Sequence, residues 1–356
     1  PALVKPVYAY ANARAKALQS DLLPQAKLES IATLKDFDEI THELNLTLYK
    51  EDLASLAVKY SGADLLEAAI NRHLVRVFKT VIFLTPDDSK DVISLILGRW
   101  DIRNINLIIA SKALGYSFGS QSDVFLVSSH DYPLGPIAGA LTYYDLKNLI
   151  DMKDIASIVQ WVGTRFGADF EPYLEKYRTE GDIGPLLLQI ELSYLRKLVT
   201  SMQGRAGSNM RVLSVLKSLI DQKNIVATLK AKQRNVNPQD VPKFTVDGGN
   251  LTKQALSDLY RAASVEEMIE NLKPYYDLTE ALGEYRSSGL VAIENLLAKK
   301  ITQKTIASLR VAPPSLASIV AYVMLKELEV ENLTKIIRGK KNDVPEAEIK
   351  NSLVFA

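Results

Sequence analysis

Glu67-Ala-Ala-Ile-Asn-Arg-His-Leu74 recurs as Glu191-Leu-Ser-Tyr-Leu-Arg-Lys-Leu198 and again as Glu294-Asn-Leu-Leu-Ala-Lys-Lys-Ile301. The acid, the basic residue five positions on and the aliphatic residue seven positions on coincide in all three copies. Each copy lies in a longer apolar series: Leu66, Ile70, Leu74, Val77 and Val81; then Leu187, Ile190, Tyr194 and Leu198; then Leu290, Ile293, Leu297 and Ile301. Steps of three and four residues put these side chains on one stripe of an α-helix. No stretch alternates apolar and polar residues long enough to require a strand. The reading is an all-α chain in which one helical unit is used three times.

Working outward, each copy is followed at a near-constant distance by a second block, Asp101-Ile-Arg-Asn104, Asp221-Gln-Lys-Asn224 or Glu329-Val-Glu-Asn332. Eight residues after each Asn stands a lysine: Lys112, Lys232 and Lys340. Between the blocks come helix-start signals, Thr85-Pro86-Asp87, Ser208-Asn209 and Pro313-Pro314-Ser315, because Pro suits a first helical position and Ser, Thr or Asn accepts from free helix-start amides. Upstream, Leu28, Leu146 and Leu256 each open a further helix, with Phe37, Ile155 and Val265 nine residues on. Three units follow, 1–130, 131–244 and 245–356. Their period is far longer than the roughly 20–50 residues of solenoid repeats, so each is a small bundle. Three such bundles can pack about a pseudo-threefold axis and leave a central hollow. Pro133-Leu-Gly-Pro136 and Lys230 to Lys243 read as the linkers.

Composition narrows the function. Of 356 residues, 47% are hydrophobic and 24% charged, as in globular domains, and 43 basic against 42 acidic residues leave a net charge of +1. That balance supplies no electrostatic reason to bind nucleic acid. With no cysteine there is no disulfide framework and no thiolate chemistry. Pro1 to Tyr10 lacks the pattern of a secretory signal. The apolar run Leu316 to Leu325 is half the roughly 20 residues a membrane-crossing helix needs.

The chemistry-bearing residues are few. His42, His73 and His130 form no metal-ligand pattern such as His-Glu-x-x-His and read as structural or solvated. No phosphate-binding Gly loop is present; Gly204-Arg-Ala-Gly207 and Asp247-Gly-Gly-Asn250 read as turns between helices. Asp36, Asp38 and Glu39 read as the solvated face of a helix whose other face carries Leu34, Phe37 and Ile40. Glu67, Glu191 and Glu294 raise the idea of three equivalent carboxylates holding a cation on an axis, but pairing with nearby basic residues or helix starts is the favoured reading. Asn104, Asn224 and Asn332 are expected to tie backbone groups. No catalytic residue, metal ligand or cofactor site is assigned.

The opening Tyr8-Ala-Tyr10-Ala-Asn12-Ala-Arg14-Ala-Lys-Ala-Leu18, then Leu22-Leu23, with Gly98-Arg-Trp100-Asp101-Ile-Arg-Asn104-Ile105, resembles the C subunit of archaeal-type rotary ATP synthases, the family that includes the d subunit of the vacuolar proton pump. The likeness spans the whole chain. It implies a funnel of three bundles, a non-catalytic peripheral protein on the cytoplasmic face of the membrane with no cofactor. Its partners would be the central-stalk D and F subunits and the membrane proteolipid ring, and its role ion transport coupled to ATP. Two readings stand beside it: a soluble helical scaffold unrelated to rotary motors, and an enzyme with a site in the central hollow.

Overall fold

A computed structural model describes residues 6–115, 139–203, 210–311 and 315–356. His130, Pro133-Leu-Gly-Pro136, Gly204-Arg-Ala-Gly207, Ser208-Asn209 and Pro313-Pro314 lie outside them. The chain is all-α, 77% helical, with no strand among the described residues.

The described helices fall into three runs, each with one long helix that carries a copy of the glutamate motif. After α1 (Pro6–Ser20), the first run is α2 (Gln25–Thr33), α3 (Phe37–Asn45), α4 (Lys50–Leu56), the long α5 (Gly62–Leu84), then α6 (Lys90–Leu97) and α7 (Arg99–Ala113). The second run is α8 (Tyr143–Asp151), α9 (Ile155–Phe166), α10 (Glu171–Glu180), the long α11 (Gly184–Gln203) and α12 (Met210–Gln233). The third is α13 (Lys253–Tyr260), α14 (Val265–Leu272), α15 (Leu282–Ser288), the long α16 (Leu290–Arg310) and α17 (Leu316–Lys341), with α18 (Glu346–Ser352) last. The repeated glutamates stand on the long helices α5, α11 and α16, and the acid-x-x-Asn blocks on α7, α12 and α17.

Helix starts are set by short polar side chains. Thr142 accepts from the Asp145 N–H and Asp145 returns the bond to the Thr142 N–H; Thr252, Ser264 and Ser315 cap α13, α14 and α17. Each satisfies an amide the helix itself leaves free, worth about 1 kcal/mol. The Asp36–Glu39 cluster is a device of this kind: Asp36 caps α3 and Glu39 accepts from the Lys35 N–H.

The chain forms two compact units, Pro1–Val162 with Pro313–Phe355, and Gly163–Ala312 with Ala356. These cut across the repeats, because the last helix of one repeat packs on the first helices of the next. In the first unit α17 packs on α1, α2 and α5, and α7 on α8; in the second, α12 packs on α13, α14 and α16. Leu66, Ile70 and Leu74 of α5 and Leu333, Ile336 and Ile337 of α17 are wholly enclosed, each burial contributing about 1.5–3 kcal/mol. Ile225 and Leu229 of α12 meet Met268, Ile269, Ile293 and Leu297 in the core of the second unit. The Leu316 to Leu325 run is the buried start of α17, and no helix among the described residues is long and apolar enough to cross a membrane.

The Lys230 to Lys243 segment departs from a loose linker. Its first residues belong to α12, Val241 is buried with Ala231 and Tyr260, and the Tyr260 hydroxyl donates to the Val236 carbonyl. The helix ends at Gln233, with Asn235 in the left-handed conformation just beyond it, and Pro242 opens a short 3-10 turn in which Val241 packs inward, which composition alone does not reveal.

Candidate functional site

The acid of each second block sits at the start of the next repeat's first helix. Asp101 accepts from the Ala140 and Leu141 N–H groups at 2.7 and 3.1 Å, just before α8. Asp221 accepts from the Leu251 N–H at 2.9 Å, just before α13. Glu329 accepts from the Leu23 N–H at 2.6 Å, just before α2. The lysine of each block reaches the other end of the same helix. Lys112 donates to the Ile150 and Met152 carbonyls, Lys232 to that of Tyr260 and Lys340 to that of Leu34.

The spacing follows from helix geometry. Acid and lysine are eleven residues apart, about three turns, so they share a face and stand about 16 Å apart along the axis. That is slightly longer than the clamped helices, which have 9, 9 and 8 residues. Negative charge at the helix start and positive charge at its end also match the helix dipole. The motif is therefore a clamp that measures and caps a neighbouring helix.

The acid type fits the backbone opposite. A Cβ on Gly139 would stand 2.1 Å from Asp101 Oδ2, and one on Gly249 2.3 Å from Asp221 Oδ1. Asp has a short reach, so the chain must come close and Gly is required. Glu329 is one methylene longer, and the matching position is an ordinary exposed Asp21.

The remaining motif residues are also placed. Asn224 exchanges bonds with the Val246 carbonyl and N–H, and Asn332 with those of Val354, all at 2.8–3.0 Å; Asn104 is wholly buried on α7. Glu67 receives Arg338 in a bidentate pair at 3.0 and 3.1 Å, Glu294 pairs with Lys230 at 2.9 Å, and Glu191 with Lys223 at 2.7 Å. In the opening motif Tyr8 and Asn12 face inward, the Tyr8 hydroxyl on Ser89 Oγ at 2.5 Å and Asn12 Nδ2 donating to the Ser315 carbonyl at 3.2 Å. Tyr10 and Arg14 are exposed on the opposite side of α1. Trp100 Nε1 donates to Glu327 at 2.7 Å, which also pairs with Arg99.

A buried polar knot gathers round Glu329, the acid of the third block. Lys326 Nζ donates to Glu329 Oε1 at 2.6 Å, the Tyr49 hydroxyl donates to the same oxygen at 2.6 Å, and the Lys326 ammonium lies 4.6 Å over the Tyr49 ring. Behind it the His73 ring is 4.5 Å from that of Tyr49, and His73 Nδ1 is 3.1 Å from Asp52 Oδ2. Burial pulls the Lys326 ammonium below its ordinary value against the attraction of Glu329, and pushes the Tyr49 hydroxyl well up. The i,i+3 spacing of Lys326 and Glu329 is readable from the sequence, but not that both are buried.

His73 gives a pH prediction. Burial lowers its pKa from the usual value near 6.5, outweighing the opposing hydrogen bond to Asp52. The unfolded chain therefore takes up this proton first, and the stability that neutral His73 contributes above pH ~6.5 is lost as pH falls below it. The melting temperature should drop between pH 7 and 5, and His73→Gln should reduce that slope by up to one proton's worth; an unchanged slope would remove His73 as its cause.

Among the described residues no group of three or more His, Asp or Glu side chains has the arrangement to hold a metal ion. The acids and lysines of the second blocks, with Glu67, Glu294 and Asn224, join one repeat to another, while Glu191 and Asn332 bond within their own.

Comparison with known proteins identifies the family. A model of the ATP synthase (C/AC39) subunit matches residues 11–352. The C subunit of the A-type ATP synthase from Thermoplasma volcanium is 32% identical over 350 residues, 98% of this chain and 98% of its own length. That of Thermoplasma acidophilum is 31% identical over 348 residues, 96% of each chain, and that of Methanococcoides burtonii 27% identical over 352 residues, 98% of this chain and 94% of its own. A match of this extent takes in all three clamps and the long helices between them, and the chain belongs to the ATP synthase (C/AC39) subunit family.

Proposed function

We propose that this chain is a non-catalytic subunit of a membrane rotary ATP synthase, seated at the cytoplasmic face and joining the rotating central stalk, with its D and F subunits, to the proteolipid ring. The observation that carries this is the match along almost the whole chain to relatives named as C subunits of A-type ATP synthases. In this reading the units 1–130, 131–244 and 245–356 are three similar bundles about a pseudo-threefold axis, forming a funnel. The stalk enters the wide end, and the ring docks on the narrow one.

The physical argument concerns stiffness. A torque coupler needs an incompressible body and broad contact rather than a reactive group, and close-packed helices supply that. The clamps support the reading, because they tie one repeat to the next at both ends of a helix. ATP chemistry would reside in other subunits.

Crosslinking from surface lysines in a detergent-purified complex tests it. Links to both the stalk subunits and the proteolipid ring are expected. Links to neither would leave a helical scaffold outside the rotor.

A further inference from the structure

The three clamps differ in what else holds them. Asp101 and its target Leu141 are 40 residues apart in sequence, and Asp221 and Leu251 are 30 apart, so each of those joints is confined by a short connection. Glu329 and Leu23 are 306 residues apart. Chain connection confines this last joint far less, since loop closure becomes costlier with length.

The helix that makes this joint is also the one whose apolar pattern specifies least. From Leu316 to Met324 every residue of α17 is buried, and Leu328, Val330, Leu333, Ile336 and Ile337 continue that burial. A helix enclosed on all sides by aliphatic contacts can be displaced by one turn and find similar grooves. A single buried polar contact prevents this in other helical assemblies, because only one alignment satisfies it.

At the Asp221 joint the Tyr276 hydroxyl also donates to the acid, but among the described residues a buried lysine accompanies the acid at the Glu329 joint alone. The residues matching Lys326, three before each acid, are Gly98 and Ser218, and those matching His73 on the other long helices are Lys197 and Lys300, neither of them buried. The groups facing the knot come from every element packed on it: Tyr49 and Asp52 from the α4 segment, His73, Arg72 and Arg76 from α5, Tyr322, Lys326 and Glu329 from α17, and Asp21 ahead of α2. A buried ion pair contributes little net stability, because desolvation offsets its attraction. Its effect here is on alignment.

We propose that Lys326, Glu329 and Tyr49 form a register latch, which specifies where along α17 the first repeat seats, the Lys326–Glu329 ion pair itself adding little to the stability of the joint. Lys326 and Glu329 are positioning residues. They act through α17, and the inference does not depend on the rotary reading.

The test uses the full chain, which has no native cysteine. Arg99→Cys with Glu327→Cys, bridged by a bifunctional thiol reagent that spans the length of an Arg–Glu pair, reports the observed register; Arg99→Cys with Glu331→Cys, bridged in the same way, reports a one-turn slip. With the latch intact, trapping by the bifunctional reagent at 327 should exceed trapping at 331 by roughly tenfold or more. In Lys326→Met/Glu329→Leu the two should come within about a factor of two, with Tm below that of the parent, because the Leu23 N–H and the Tyr49 hydroxyl lose their acceptor, but above that of Glu329→Leu alone. Glu329→Leu alone strands a buried ammonium and should lower Tm by about 10 °C, which separates loss of register from loss of fold. Conservative Lys326→Arg should keep trapping at 327. A double variant that still traps only at 327, or that melts as low as Glu329→Leu, would overturn the proposal.

Discussion

Val323→Pro is expected to unfold the first compact unit and leave the second folded. Val323 is wholly buried two turns inside α17. Proline there removes a helix hydrogen bond and clashes with the preceding turn, costing about 3 kcal/mol or more before any packing is lost. The larger loss comes from position, because α17 is the helix on which α1, α2 and α5 pack. Hydrogen exchange measured by mass spectrometry should show amides of α1, α2, α5 and α17 losing most of their protection while α12, α13 and α16 retain theirs. Equal loss in both sets would mean that the two units unfold as one.

Asp221→Ala should be the most damaging substitution in the second unit. The carboxylate is wholly buried and accepts from the Leu251 N–H, Asn250 Nδ2 and the Tyr276 hydroxyl at 2.8–3.0 Å. Removing it strands a backbone amide and a hydroxyl in a dry site, at about 3 kcal/mol or more, or a fall of roughly 10 °C in Tm. Gly249→Ala attacks the same contact from the other side, since its Cβ would stand 2.3 Å from Asp221 Oδ1. The pair should be markedly less than additive, because both lesions remove one interaction. Thermal melts of the two single variants and the double variant measure this directly; strict additivity would show that Gly249 matters for some other reason.

Much of the fold is legible in the sequence. The stripe Leu66, Ile70, Leu74 is a local property of a helix, and it reads correctly because a 3.6-residue period needs no partner to be recognised. The Glu67, Glu191 and Glu294 copies, and the acid-x-x-Asn blocks with their lysines, are visible as a pattern. What the pattern does is not visible. Asp221 and Lys232 say nothing about α13 until the helix lies between them. Gly139 and Gly249 look like turn residues, and only the nearby aspartates explain why no side chain fits there. Tyr49, Asp52 and Lys326 carry no signal of burial, since a tyrosine or a charged side chain on a helix is more often solvated.

The amino-acid order by itself determined that the chain is helical, that a helical motif recurs three times, and that an acid and a lysine recur three turns apart. These are statements about neighbours along the chain, where propensity and periodicity act. Only the tertiary structure decided which copy serves which: Asp101 on α8, Asp221 on α13, and Glu329 on α2 across 306 residues. The physical reason is that a clamp's target is chosen by the joint burial of distant apolar faces, and no local pattern encodes which faces will meet.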